Sequence, residues 1–150
     1  MRVREQCKSC KRYTFKATCP PHCESVEYYK NLLPTYRYGE LYLKKYIIED
    51  MSKWKELGKL STEEISNCVL AKRAQMMNIG FHFAVGFTAG SCKNCDTCSF
   101  PCRYPEKSLV PLEATGINVV KLVKEVTSIK IGFPVHTEFY RIGMLLWSYN

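Results

Sequence analysis

No apolar run in these 150 residues is long enough to cross a membrane as a helix; the best, Ile142 to Trp147, is far too short. A Ser-His-Asp set, a phosphate-binding glycine loop and a dinucleotide fingerprint are all missing, so no motif names a substrate. Internal repeats and low-complexity segments are missing too. Histidine is scarce. His82 alternates with apolar neighbours, as a packed or surface side chain does, and His136 carries no pattern. The first residues, Met1-Arg-Val-Arg-Glu-Gln, are charged and lead straight to Cys7 without the apolar stretch of a secretory leader. A cytoplasmic, reducing setting is therefore expected, in which clustered cysteines are metal ligands. A disulfide framework is the alternative, if the chain is a mature secreted one.

What the sequence does have is cysteine. Eight of its nine cysteines fall into two groups and only Cys68 stands apart, at a mid-helix position where a buried structural thiol is expected. A chain this long can build a core without staples, so the cysteines are there for chemistry. The later group, Cys92, Cys95, Cys98 and Cys102, reads C-x2-C-x2-C-x3-C. Two-residue gaps let successive thiols reach adjacent corners of one iron–sulfide cubane, and this is the spacing of bacterial-type iron–sulfur ligation. Pro101 and Pro105 stiffen the turn. In two-cluster ferredoxins the last cysteine of such a run ligates the other cluster. Cys102 can therefore serve either site, with Cys19 or Cys23 completing this one.

The earlier group is Cys7, Cys10, Cys19 and Cys23, a C-x2-C pair followed by C-P-P-H-C. A cluster fits it, and so does zinc. His22 could replace Cys23 as a ligand, although an exposed loop histidine is the plainer reading. The expected cofactors are thus 4Fe–4S clusters, two if both groups are filled, with zinc as the alternative at the first.

The formal charge of +8 counts every thiol as neutral. A 4Fe–4S core or a zinc ion with four thiolates carries about −2, so two filled sites leave about +4. That suits an acidic redox partner or an anionic ligand, and supports nucleic-acid binding only weakly. The basic run Arg2, Arg4, Lys8, Lys11, Arg12 and Lys16 reads as a solvated segment balancing cluster charge.

By size the chain is one domain, 1–150. Residues 1–25, with Pro20 and Pro21, are expected to be a metal-ordered loop and neither regular helix nor central strand. Residues 35–48 alternate as a strand. Tyr36, Tyr38, Tyr42 and Tyr46 fall on one face and Leu41, Leu43 and Ile47 on the other, so covering layers are expected on both sides. The tyrosines could stack on a base, but packing against a helix is the plainer reading. Ser61-Thr-Glu-Glu64 resembles a capping box and predicts a helix to about Asn78, with a broad apolar face formed by Ile65, Cys68, Val69, Leu70, Ala71, Ala74 and Met77. Residues 81–87 predict a second strand, 116–126 a second helix and 138–147 a third strand. The second cysteine loop, 90–106, hangs from a strand end. The expectation is an α/β sandwich: a sheet of about three to four strands, two main helices and two cysteine-rich metal loops.

The segments Gly90-Ser-Cys-Lys-Asn-Cys-Asp-Thr-Cys98, Cys102-Arg-Tyr-Pro-Glu-Lys107, Pro111-Leu-Glu-Ala-Thr-Gly-Ile-Asn118 and Phe139-Tyr-Arg-Ile-Gly-Met-Leu-Leu146 resemble the predicted metal-binding proteins of the domain of unknown function 2284 family. So does Cys7-x2-Cys10 with Cys19-Pro20-Pro21. The resemblance covers nearly the whole chain. It implies a small cytosolic iron–sulfur protein of a kind common in anaerobic bacteria and archaea, and supplies no reaction. Leu112 stands where that family has a serine and a methionine, and Asn118 replaces its aspartate.

Arg103 directly follows a ligand. It could donate to cluster sulfur or a bound anion, raising the reduction potential, or pair with Glu106 or Glu113. Glu113 suits a helix cap better than acid–base work, and Gly116 a turn or close packing against the cysteine loop. Three functions follow. The first is electron transfer or redox support of a partner enzyme. The second is an enzyme using a cluster with an open iron. The third is a zinc-based nucleic-acid or protein interaction module.

Overall fold

The computed structural model describes residues 3–132 and 135–149. Four strands form one mixed sheet: β1 (Tyr38–Ile47), β2 (Phe83–Thr88), β3 (Val110–Pro111) and β4 (Glu138–Ser148), in the order β1-β4-β2-β3. β4 is antiparallel to both of its neighbours and β3 is parallel to β2. It follows that β1, β2 and β3 all run the same way. The helices are α1 (Val26–Leu32), α2 (Trp54–Asn78) and α3 (Val119–Val126). The α/β sandwich read from the sequence is the fold found.

Both faces of the sheet are covered, as the two-sided alternation of β1 requires. On one face, Tyr29 of α1, Leu112 and Val119 and Val123 of α3 pack on Phe87, Ala89, Ile142 and Met144, with Leu41 and Leu43 alongside. On the other lies α2. Glycines at Gly86 and Gly143 let it approach: a Cβ there would stand 2.6 Å and 2.5 Å from the Val69 methyls. Val69 is fully buried. Gly143→Ala is therefore expected to cost about 2 kcal/mol through overpacking, read as a lower denaturation midpoint at unchanged slope. An unshifted midpoint would mean that α2 sits less closely than this.

Of the tyrosine stripe, Tyr46 packs against a helix and Tyr38 is exposed. Tyr46 stacks on Phe139 with ring centres 5.4 Å apart and donates its hydroxyl to Glu64 of α2, while Tyr38 stacks on Trp147.

Several local expectations need correcting. α2 begins at Trp54, before Ser61, because Asp50 Oδ1 accepts from Ser52 N at 2.9 Å and starts a 3-10 turn that runs into the helix. Ser61 caps nothing; its hydroxyl donates to the Gly58 carbonyl and accepts from Arg141 Nε at 2.9 Å. The buried face of α2 is narrow (Ser61, Thr62, Ile65 and Val69), and Ala71, Ala74 and Met77 are exposed. Cys68 is exposed as well, not a buried core thiol. α3 starts at Val119 rather than near Gly116, capped by Asn118 Oδ1, which accepts from Lys121 N at 3.0 Å. Gly116 has φ +94° and ends a 3-10 helix over Leu112–Thr115; its close neighbour is Val26 of α1, not the cysteine loop. The N-terminal segment carries a 3-10 helix, Val3–Ser9, which the prolines, both coming after it, do not interrupt.

Candidate metal centre

The N-terminal cysteines are drawn together by consecutive tight turns. Cys10 N donates to the Cys7 carbonyl at 3.0 Å; His22 N and Cys23 N both donate to the Cys19 carbonyl, at 2.9 and 3.2 Å. Cys19 is buried, Cys7 and Cys23 are half-buried and Cys10 is exposed. The four thiols are electrostatic neighbours. Burial pushes the Cys7 thiol up, helped by the charges of Glu113, Cys10 and Cys23 and opposed by Arg4. Cys19 is pushed up to about 11, mainly by burial, against the hydroxyl of Thr18 and with the help of Cys23, Cys10 and Cys7. Cys23 is also raised by burial, with Arg4 working against it. A metal entering this group must displace protons that the thiols would otherwise keep at neutral pH.

Two buried oxygens near the group are poorly satisfied: Thr18 Oγ1, whose neighbour is the Cys19 thiol, and Glu113 Oε2. A buried polar atom in that state calls for a further neighbour. A hydroxyl beside a thiolate suits a metal–sulfur centre, which would accept its proton in a hydrogen bond. Four thiols are the donor type that such a centre takes, but among the described residues no three of them stand close enough to hold one metal ion.

Cys92, Cys95, Cys98 and Cys102 follow the end of β2, as expected, and all four are half-buried. Ser108 Oγ lies 4.0 Å from Cys92 Sγ and 3.3 Å from Cys102 Sγ, so the first and last thiols of the run converge on one hydroxyl. A pocket of about 220 Å³ opens beside Cys92, lined by Thr62, Ser66, Lys93 and Asn94 among others.

The two loops touch. Ala17 N donates to Cys98 Sγ at 3.3 Å. Lys16 is buried and its Nζ donates to the Cys95 carbonyl at 3.1 Å. His22 is exposed, bonds the Thr14 carbonyl and meets Phe100 of the other loop at a tilt, with ring centres 4.2 Å apart. Lys93 sits among Arg12, Lys16 and Cys19; burial first, then those cations, lowers its proton affinity.

Some residues serve otherwise than expected. Arg103 donates to the Thr97 carbonyl at 2.7 Å, closing its own loop, rather than pairing with Glu106 or Glu113. Glu113 caps no helix. It lies in the turn after β3, where burial raises its proton affinity against the pull of backbone N–H groups and Arg141. Arg4 and Lys16 are clamps, not parts of a solvated run. The Arg4 guanidinium donates to the carbonyls of Glu24, Cys23 and Ala114, tying the first cysteine loop to the turn that holds Glu113. Their sequence signal, basic residues interleaved with cysteines, was visible, but their targets lie far along the chain.

The family of predicted metal-binding proteins DUF2284 matches residues 1–147. The chain belongs to this family. Neither the curated proteins nor the solved structures contain a match. Among the described residues of this DUF2284 member, no three histidine, cysteine or acidic side chains lie close enough to hold a single metal ion, and no helix is long and apolar enough to cross a membrane. Cys68, exposed on α2, belongs to neither cysteine group. Cys68→Ser should leave metal content and melting temperature unchanged, checked by metal analysis and thermal unfolding; lost metal would put Cys68 in a site.

Proposed function

We propose that the chain carries two 4Fe–4S clusters, one on Cys7, Cys10, Cys19 and Cys23 and one on Cys92, Cys95, Cys98 and Cys102, and works in electron transfer as a redox accessory to a partner enzyme in the cytoplasm. The observation that carries this is the contact between the loops. The N–H of Ala17, beside the first group, points at a ligand sulfur of the second. Two centres whose ligand shells touch can exchange electrons, and N–H···S bonds of this kind tune cluster potentials. The C-x2-C-x2-C-x3-C spacing of the second group supports a cluster over a single zinc ion there. The shared Ser108 hydroxyl favours giving Cys102 to the second site.

When bound, such clusters supply one-electron chemistry. The chain's own residues set its conditions: Lys16 and Arg4 fix the loops, Arg12 N donates to Cys10 Sγ at 3.5 Å, and Lys93 places positive charge beside Cys19.

Reductive titration tests the proposal. Dithionite should bleach the visible absorbance reversibly and produce EPR signals broadened by coupling between neighbouring clusters. A colourless, EPR-silent protein carrying zinc alone would contradict it.

A further inference from the structure

A cleft of about 1210 Å³ lies at the carboxyl ends of β2 and β3, next to the N-terminal cysteine loop. Crevices outside the carboxyl ends of parallel strands are where open α/β sheets bind ligands. Its inner end is formed by Gly90 after β2, Glu113 after β3, Arg141 of β4 and Gln6, which directly precedes Cys7. Arg141 is held there from behind. Its Nε donates to Ser61 Oγ at 2.9 Å, its Nη2 to the Gly58 carbonyl at 3.3 Å, and its plane lies over Phe139. Nη1 has no partner among the described hydrogen bonds and lies on the Gly90 side, where a Cβ on that glycine would stand 3.4 Å from it.

The outer wall carries Lys121, Lys124 and Lys130, all exposed. Of the two acids in the cleft, Glu138 is already paired with Lys45 at 2.9 Å, and Glu113, with one oxygen buried, lies near enough to Arg141 to attract it without a hydrogen bond between them among the described residues. Arg141 is thus a pre-oriented guanidinium under a basic rim. A guanidinium fork matches the planar oxygens of a carboxylate or those of a phosphate.

We propose that this cleft binds a small multivalent organic anion, with one oxyanion group on Arg141 and the remaining charge facing Lys124 and Lys130. This goes beyond the electron-transfer reading and stands whatever metal the cysteines hold. The bound anion would lie against the Gln6–Cys7 segment.

Trp54 lines the same cleft and reports on it, while Trp147 stacks at the opposite end of the sheet with Tyr38. Protein as purified, with its metal, is titrated with citrate and separately with inorganic phosphate while tryptophan fluorescence is followed. A saturable change is expected with at least one of them. Citrate alone would mark the ligand as a carboxylate, and phosphate alone as a phosphorylated compound. Arg141→Gln should weaken binding about tenfold or more. Because that variant also loses its bonds to α2, Lys124→Glu with Lys130→Glu, both on the exposed rim, is the companion; it should weaken binding several-fold and flatten the salt dependence. No saturable response to either anion, or affinity unchanged in the rim double variant, would overturn the proposal.

Discussion

Cys98→Ala is expected to remove one cluster's worth of iron, about four atoms per chain, and to disturb the centre that remains. The first effect follows from the loss of a ligand in the middle of the run. The second follows from the Ala17 N–H, which loses the sulfur it bonds at 3.3 Å. Ala17 lies between the clamp Lys16 and the buried Thr18, whose hydroxyl neighbours the Cys19 thiol, in the turn that leads to the buried Cys19. Cys95→Ala is the control, because Cys95 meets the first loop only through its carbonyl. It should remove the same amount of iron, and the uncoupled EPR signal it leaves is the reference against which that of Cys98→Ala is read. Iron and acid-labile sulfide assays read the first effect and EPR the second. Full iron content in Cys98→Ala would show that Cys98 is no ligand. Identical residual spectra in the two variants would show that the bond from Ala17 does not couple the sites.

Arg4→Ala should be the most destabilising single surface-accessible change. Its guanidinium serves three carbonyls on two segments, those of Cys23 and Glu24 on the first cysteine loop and Ala114 on the turn after β3. Hydrogen bonds from a charged donor contribute about 1.5–3 kcal/mol each in net terms, and the carbonyls left behind are partly shielded from water. A loss of about 3 kcal/mol is expected, which for a chain of this size lowers the melting temperature by about 10 °C. Arg4 also opposes the burial that raises Cys7 and Cys23, so its removal should cost metal at the first site while sparing the second. Arg4→Lys can reach one carbonyl but not fork across two segments, and should recover only part of both losses. Melting and metal content unchanged in Arg4→Ala would mean that the N-terminal loop is held by something else.

The parts of this molecule that are written locally could be read from the chain. Alternation in β1 gave the strand, and the regular cysteine spacing gave the second loop at a strand end; of the expected faces of β1, Tyr46 is buried and Leu41 and Leu43 are half-buried, but Tyr38 and Ile47 are exposed, because the covering elements do not reach the strand's ends. Short elements were invisible: α1 has seven residues and β3 has two, less than either period needs to show itself. The start of α2 was misplaced because Ser61-Thr-Glu-Glu64 has the composition of a cap, while the true start uses Asp50 and a 3-10 turn. Cys68 was misjudged because helical periodicity cannot say how wide a face its partner covers; two glycines on the sheet draw in Val69 and leave Cys68 outside. The clamps were out of reach for a different reason. Arg4 meets Ala114 across 110 positions and Lys16 meets Cys95 across 79, contacts that only the fold creates.

The central claim is that both cysteine groups hold iron–sulfur clusters. It is tested most directly by purifying the protein without oxygen and counting iron, acid-labile sulfide and zinc per chain. The account predicts about eight irons and about eight sulfides, with little zinc. About four irons with one zinc would confine the cluster to one group, and an anaerobic preparation free of iron would contradict the account outright.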